Sequence, residues 1–114
     1  MKTNEIVTVY VGFAHKTGGK RRPILVLRDQ KDRIEFFGIT SQYESKSESI
    51  KRVNFPILDW DKAGLKKQSW IDVGTIRALN KDKKNIIYNK VGHLTNPDMI
   101  RLNHFLAELY GTKE

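Results

Sequence analysis

The chain has 114 residues, no cysteine and a formal net charge of +8 at pH 7. This length accommodates one domain with a modest core, and the lack of cysteine excludes disulfides and thiolate chemistry. No apolar run approaches the roughly 20 residues that cross a bilayer. We therefore expect a single cytoplasmic domain over residues 1–114 that does not contact a membrane.

The positive charge is concentrated in two segments, residues 1–34 and 66–90, whereas the other segments are slightly acidic. Segregated charge of this kind is typical of proteins that bind a polyanion, most simply a nucleic acid. A generally basic, solvated surface is the alternative that charge alone leaves open.

The first half of the chain is predicted to form β-strands separated by polar turns. Runs of β-branched and aromatic residues predict strands at 6–13, 23–28, 33–40 and 53–58. The segment 15–21 is then a basic loop, and the serine-rich segment 41–49 is a polar loop. Pro23 has no backbone N–H to donate, so it is expected at the first position of the second strand.

The second half continues the strands and then changes in kind. Further strands are predicted at 69–73, with 75–79 as a candidate continuation, and at 86–88. A helix is predicted from Asn96, where an Asn cap, a Pro and an early Asp follow one another, and Gly111 ends it. One face of this helix is apolar, at Leu102, Phe105, Leu106 and Leu109. The elements together predict a mainly β fold with a C-terminal α-helix, a small β-barrel covered by the helix.

The sequence lacks the common metal and nucleotide motifs. His15, His93 and His104 are far apart, unlike the short paired spacings of zinc ligands. There is no P-loop, no dinucleotide glycine motif and no Gly-x-Ser-x-Gly nucleophile elbow. The close acidic pair Asp59 and Asp61 leaves a carboxylate metal site as an alternative, but this pair is expected in a turn. We therefore predict a site that uses neither a metal nor another cofactor.

Cations and hydroxyls remain, and they suit one reaction of RNA that needs no metal. The 2′-OH attacks its own adjacent phosphate and expels the 5′-oxygen. An enzyme for this step must hold the phosphate and stabilise its growing charge, which the planar fork of Arg does well. Arg22 stands at one predicted strand end, and Thr40 and Ser41 stand at another, where a hydroxyl can orient the same phosphate.

Other residues are candidates for RNA contacts, each with a plainer alternative. Three cations are expected to contact backbone phosphates, with simple solvation as the alternative: Lys16, Lys20 and Arg21. Gln42 and Ser69 either contact RNA bases or hold the loops. Trp60 and Trp70 either stack on bases, as aromatic residues do in single-strand recognition, or belong to the core, which is favoured for Trp70.

Three stretches resemble, in this order, the MazF/PemK toxins of bacterial toxin–antitoxin pairs: residues 20–27 (KRRPILVL), 38–42 (GITSQ) and 64–71 (GLKKQSWI). The similarity continues through 75–79 and 92–95 to the terminal helix, so it covers nearly the whole chain. The resemblance implies a metal-independent ribonuclease that cuts single-stranded RNA at short sequences, leaving a 2′,3′-cyclic phosphate and a 5′-OH. It also implies an SH3-like (plasmid-maintenance-toxin) barrel.

The same resemblance implies partners. Such toxins work as homodimers and are inhibited by an antitoxin whose disordered acidic tail fills the RNA groove. A non-catalytic SH3-like module that binds nucleic acid or protein remains an alternative. A gyrase-poisoning toxin of the same fold ranks last, because the tail at residues 110–114 lacks the Trp that this activity would resemble.

Residue by residue, the resemblance implies that Arg22 and Thr40 contact the scissile phosphate, with Arg22 as acid or charge stabiliser. His15 lies near the place where some members have a functional His. Some members carry an Arg-x-Asp pair in a later strand, where this chain has Asp72, Val73 and Gly74. The general base is therefore left unassigned.

Overall fold

The computed structural model describes residues 1–12, 19–80 and 87–111. Within these ranges the chain forms six strands and two helices: β1 (Glu5–Gly12), β2 (Gly19–Asp29), β3 (Arg33–Thr40), α1 (Glu48–Lys51), β4 (Asn54–Ile57), β5 (Ser69–Asn80), β6 (Tyr88–His93) and α2 (Asn96–Tyr110). The predicted mainly β fold with a C-terminal helix is confirmed. Neither helix of the described ranges has the length and apolar character needed to cross a membrane.

All strand pairs are antiparallel, and the strands follow the order β4-β5-β3-β2-β1-β6. The central position of β2 explains its unbroken apolar run, since Ile24, Leu25 and Val26 are all buried. Successive side chains point to opposite faces of a strand. Leu25 therefore joins one apolar cluster while its two neighbours join another.

The larger cluster lies between the sheet and α2. It contains Leu25 and Phe37 from the central strands, Ile57 and Ile71 from β4 and β5, and Leu102 from α2. The smaller cluster lies on the other face of β1, β2 and β3, at Val7, Val9, Ile24, Val26, Ile34 and Phe36. The functional residues described below lie at the rim of the smaller cluster.

The turn after β4 packs against β6, and this contact joins the two ends of the strand order. A Cβ atom on Gly92 would lie 2.2 Å from the carbonyl oxygen of Ala63. A Cβ on Gly64, whose φ is +97°, would lie 2.4 Å from the carbonyl oxygen of Val91. Both positions require glycine, because a Cβ atom at either one would collide with a backbone carbonyl of the other segment.

The start of α2 is one residue earlier than predicted. Thr95, not Asn96, is the N-cap, because its hydroxyl accepts a hydrogen bond from the backbone N–H of Asp98 at 3.4 Å. Asn96 is then the first helical residue. The predicted stop at Gly111 is confirmed, since this residue is the C-cap with φ +75°.

Asp98 fastens the first turn of α2 to the segment after β4. Its carboxylate is fully buried and accepts hydrogen bonds from the backbone N–H groups of Leu58 at 3.1 Å and Asp59 at 2.8 Å. Arg101 donates to the same carboxylate from one turn further along the helix. A buried charge is tolerated only when it is paired and hydrogen-bonded in this way.

The predicted boundary of the second strand is wrong. β2 begins at Gly19, because the backbone of β1 continues to pair beyond Pro23: Val9 lies opposite Arg22, and Val11 lies opposite Lys20. Lys20 and Arg21 are therefore strand residues and do not belong to the predicted basic loop. Gly19 is likewise part of β2, and residues 15–18 of that loop, with Phe13, lie outside the described residues.

Two other segments also differ from prediction. The serine-rich loop leads into α1, whose N-cap Ser47 accepts a hydrogen bond from the backbone N–H of Ile50 at 3.4 Å. β6 runs on from Tyr88 to His93 through polar residues. β6 is the last strand in the sheet order. Natural edge strands often carry polar and charged residues, so the sequence of β6 shows no regular apolar pattern.

Candidate active site

Arg22 and Thr40 lie at the same end of the β2–β3 pair. The last paired positions at this end are Ile24 and Gly38. Arg22 comes two residues before Ile24 in β2, and Thr40 comes two residues after Gly38 in β3. Because residues two apart along a strand share a face, Arg22 and Thr40 extend from the same side of the sheet. The structure thus brings together the two residues that the sequence singles out.

The neighbouring strands extend this arrangement into a cross-strand row. Arg22 is paired with Val9 of β1, and Thr40 is paired with Trp70 of β5. Trp70 is paired in turn with Pro56 of β4. We call these five residues the site row.

The Arg22 side chain is exposed, and among the described residues it forms no ion pair. Three other arginines already have partners: Arg28 and Arg33 pair with Glu35 at 3.5 and 3.2 Å, and Arg101 pairs with Asp98. Within the described part of the chain, the five N–H donors of Arg22 therefore have no anionic partner and can bind an anion from solution.

The Thr40 hydroxyl is half-buried and oriented by the loop that follows it. Its oxygen accepts a hydrogen bond from the backbone N–H of Gln42 at 3.0 Å. A hydroxyl has one donor and two acceptor sites, so the O–H of Thr40 can still donate to a phosphate oxygen. The short turn thus holds the hydroxyl in place without using its proton.

The next row inward is open at its centre. Gly38 lies between Ile24 and Asp72, and a Cβ atom built on Gly38 would meet no heavy atom within 4 Å. The backbone of Gly38 is therefore an open surface, the floor of the site, with Arg22, Thr40 and Asp72 around it. A substrate group can approach the sheet closely at this point.

Asp72 contributes a carboxylate to the same face, since it lies two residues from Trp70 along β5. Its Oδ1 accepts a hydrogen bond from the backbone N–H of Gly74 at 2.9 Å. In the described part of the chain its Oδ2 makes no hydrogen bond or ion pair. The sequence alone does not predict that Asp72 lies beside Gly38, because this pairing depends on a register shift between β3 and β5.

The remaining predicted RNA contacts are spread over several places. Ser41 is half-buried and Gln42 is exposed, both directly after Thr40. Arg21 is exposed on the opposite face of β2, paired with Tyr10. The backbone of Lys20 pairs with that of Val11. His15 and Lys16 lie outside the described residues.

Ser69 is not brought to the site row. It is buried, it pairs with Ile57, and its hydroxyl donates to the carbonyl oxygen of Lys67 at 2.9 Å. This geometry suits the second role considered for it, that of holding a loop. Over the ranges that the structure describes, no three His, Asp or Glu side chains form a group able to hold a metal ion.

Two comparisons with known proteins place this arrangement in a class. The chain is similar to a crystal structure of MazE–MazF (Form-III) from Deinococcus radiodurans, with a TM-score of 0.65, 15% identity, and coverage of 99% of this chain and 98% of that one. For Form-II of the same complex the TM-score is 0.61, the identity 15%, and the coverage 99% and 97%. The fold is therefore that of the MazF-like barrels.

The family follows from the sequence itself. Residues 2–110 match the family described as PemK-like, MazF-like toxin of type II toxin–antitoxin system. The chain belongs to this family and is a MazF-like toxin. A comparison with curated proteins gave no match.

Proposed function

We propose that the chain is an endoribonuclease that cleaves single-stranded RNA at short sequences, without a metal, by attack of the 2′-OH on the adjacent phosphate. The observation that carries the proposal is the grouping at the end of β2 and β3. Arg22, which forms no ion pair within the described ranges, and the oriented Thr40 hydroxyl share one face with Asp72, whose Oδ2 has no partner in those ranges. The bare backbone of Gly38 lies between them.

In this proposal the scissile phosphate sits above Gly38. Arg22 binds its non-bridging oxygens through the guanidinium fork, and Thr40 donates its O–H to one of them. Negative charge on these oxygens grows as the phosphorane forms, so donors fixed in advance stabilise the transition state more than the ground state. Arg22 extends from a β-strand, which holds a functional group more precisely than a loop does.

The bonds and protons balance as follows. The 2′-oxygen forms a bond to phosphorus, and its proton passes to Asp72, the general base that we propose. The bond from phosphorus to O5′ breaks, and the leaving oxygen takes up a proton from solvent. The products are a 2′,3′-cyclic phosphate and a 5′-OH. Arg22 transfers no proton in this scheme and acts as the charge stabiliser.

The remaining cations and polar groups would guide the RNA. We propose that Lys20 and Arg21, with Lys16 and His15 before them, contact backbone phosphates along β2. Ser41 and Gln42 follow Thr40 directly and would contact the nucleotide next to the cut. Positive charges along β2 also attract RNA from a distance and raise its association rate. Contacts with phosphates do not distinguish one base sequence from another.

The decisive experiment compares Arg22→Ala with Arg21→Ala, since the two residues are adjacent but on opposite faces of β2. A long single-stranded RNA is incubated with each protein in the presence of EDTA. We expect Arg22→Ala to lower the cleavage rate of bound RNA by about 100-fold or more. Arg21→Ala should weaken binding only modestly and leave that rate intact.

Two results would contradict the mechanism. One is cleavage that stops when EDTA removes metal ions, and the other is cleavage that survives the loss of Arg22. A single 2′-deoxy substitution at the mapped cut should abolish cleavage, because the nucleophile is then absent. RNA that is bound but stays intact under every condition would favour the non-catalytic binding module, and inhibition of DNA gyrase would favour the gyrase poison.

We also propose an antitoxin partner and a homodimer. The structural neighbours are MazE–MazF complexes, and the net charge of +8 suits a disordered acidic tail lying where RNA would lie. An acidic peptide should then displace RNA from the face around Arg22. Unchanged RNA binding at saturating peptide would contradict this arrangement.

A further inference from the structure

A pair of stacked aromatic rings stands at the end of the site row. Tyr43 and Trp70 have ring centroids 4.7 Å apart and planes inclined by only 11°. The Lys51 ammonium lies 5.1 Å from the centroid of Tyr43. No second ring or cation among the described residues lies against the indole of Trp70.

The indole is half-buried and is the direct cross-strand neighbour of Thr40. Paired side chains of antiparallel strands are roughly 5 Å apart at their Cβ atoms. The indole is therefore within about one nucleotide of a phosphate bound by Thr40 and Arg22. The partner of Trp70 on its other side is the exposed Pro56 of the short strand β4.

The rings are held by structure on both sides. Trp70 is part of β5, and the carbonyl oxygen of Tyr43 accepts a hydrogen bond from the backbone N–H of Lys46 at 3.0 Å. Lys51 also pairs with Glu44 at 3.6 Å. Rigid aromatic surface that is already ordered loses little entropy when a ligand covers it.

We propose that Trp70, backed by Tyr43, is a stacking platform for the nucleobase next to the scissile phosphate. The inference rests on the proposed ribonuclease function and extends it, because it assigns the position of a base as well as of the phosphate. Stacking on an aromatic ring accepts every base. The platform therefore orients the nucleotide for in-line attack and leaves the choice of sequence to other groups.

The test combines a protein variant with a modified RNA. In a substrate with a mapped cut, the nucleotides flanking it are replaced one at a time by abasic residues. For the wild-type protein, one of these replacements should raise KM about tenfold, the size expected for one stacked base. Trp70→Leu should raise KM on intact RNA by a similar factor and lose further sensitivity to that abasic position.

The matched control is Tyr10→Leu, which removes an exposed ring from the opposite face of the sheet. This variant should have the same KM on intact RNA as the wild-type protein and the same increase of KM at each abasic position. If Trp70→Leu shifts only the melting temperature and keeps full sensitivity to every abasic position, the platform is disproved and the rings merely attach the loop to the sheet. Trp70→Phe, which keeps a ring, should show a smaller KM change and so covers the case in which the Leu variant does not fold.

A fluorescence measurement separates failure of the platform from failure of the proposed function. Trp60 packs against the larger apolar cluster, and Trp60→Phe leaves Trp70 as the only tryptophan of the chain. We expect a 2′-deoxy oligonucleotide, which cannot be cleaved, to quench the emission of Trp70 on binding. Quenching by a protein that never cleaves RNA would refute the nuclease and keep the stacking surface. Saturated binding without quenching would refute the stacking surface alone.

Discussion

At the scale of single residues, the lack of a side chain at Gly38 is as important to the candidate site as the side chains around it. Gly38 leaves open the floor that Arg22, Thr40 and Asp72 surround. Its backbone is not in the left-handed region, so folding does not require glycine there. This separates the role of Gly38 from that of Gly92, which a close contact demands.

We therefore predict opposite outcomes for Gly38→Ala and Gly92→Ala. In Gly38→Ala the free energy of unfolding should be unchanged or up to about 1 kcal/mol higher, because a strand tolerates Ala better than Gly. Its new methyl group would displace the phosphate, and a misplacement of about 1 Å is enough for a loss on the order of 100-fold in cleavage rate.

Gly92→Ala should instead lower the free energy of unfolding by about 1–3 kcal/mol, because its methyl group must push the carbonyl of Ala63 aside. The fraction that stays folded should cleave RNA normally. Urea denaturation and a single-turnover cleavage assay on the two variants give the comparison. Full activity in Gly38→Ala would show that the phosphate does not sit above this residue.

At the scale of elements, α2 depends on one buried carboxylate. Asp98 accepts hydrogen bonds from the backbone of Leu58 and Asp59 and from the guanidinium of Arg101. It couples the first turn of the helix to the segment that leaves β4. Helix and barrel should therefore unfold together rather than separately.

Asp98→Ala should lower the free energy of unfolding by about 3–5 kcal/mol, since it leaves Arg101 and two backbone N–H groups without their acceptor. Asp61→Ala is the control, because this exposed carboxylate makes only a local bond to the backbone of Lys62. Chemical denaturation followed by circular dichroism measures both. Equal stability of the two variants would contradict the anchoring role.

The elements also show how far the sequence predicts this fold. β3 is predicted with its observed bounds, 33–40, because a regular apolar run is flanked by polar turns. The sequence also indicates Arg22 and Thr40. It does not predict that they share a face with Asp72, because that depends on the β-bulges near Val26 and Phe36, which shift the register. Pairing of this kind is set by long-range contacts that no local pattern encodes.

At the scale of the whole molecule, the proposed homodimer can be measured directly. Light scattering of the purified toxin should give twice the 13.2 kDa mass of one chain. The apparent mass should fall towards one chain on dilution if the interface is of modest size. A single-chain mass at all concentrations would show that the toxin does not form a stable dimer.

The pairing of β1 with β6 has a consequence for synthesis of the chain. Val9 of β1 is paired with Tyr88 of β6. The sheet can therefore be completed only after β6 has been synthesised. Domains form such distant contacts slowly, and a nascent chain forms them only after both segments have left the ribosome. Until then β1, which flanks Arg22, has its outer edge unpaired. We infer that the site around Arg22 is completed only after β6 has been synthesised, late in the synthesis of this domain.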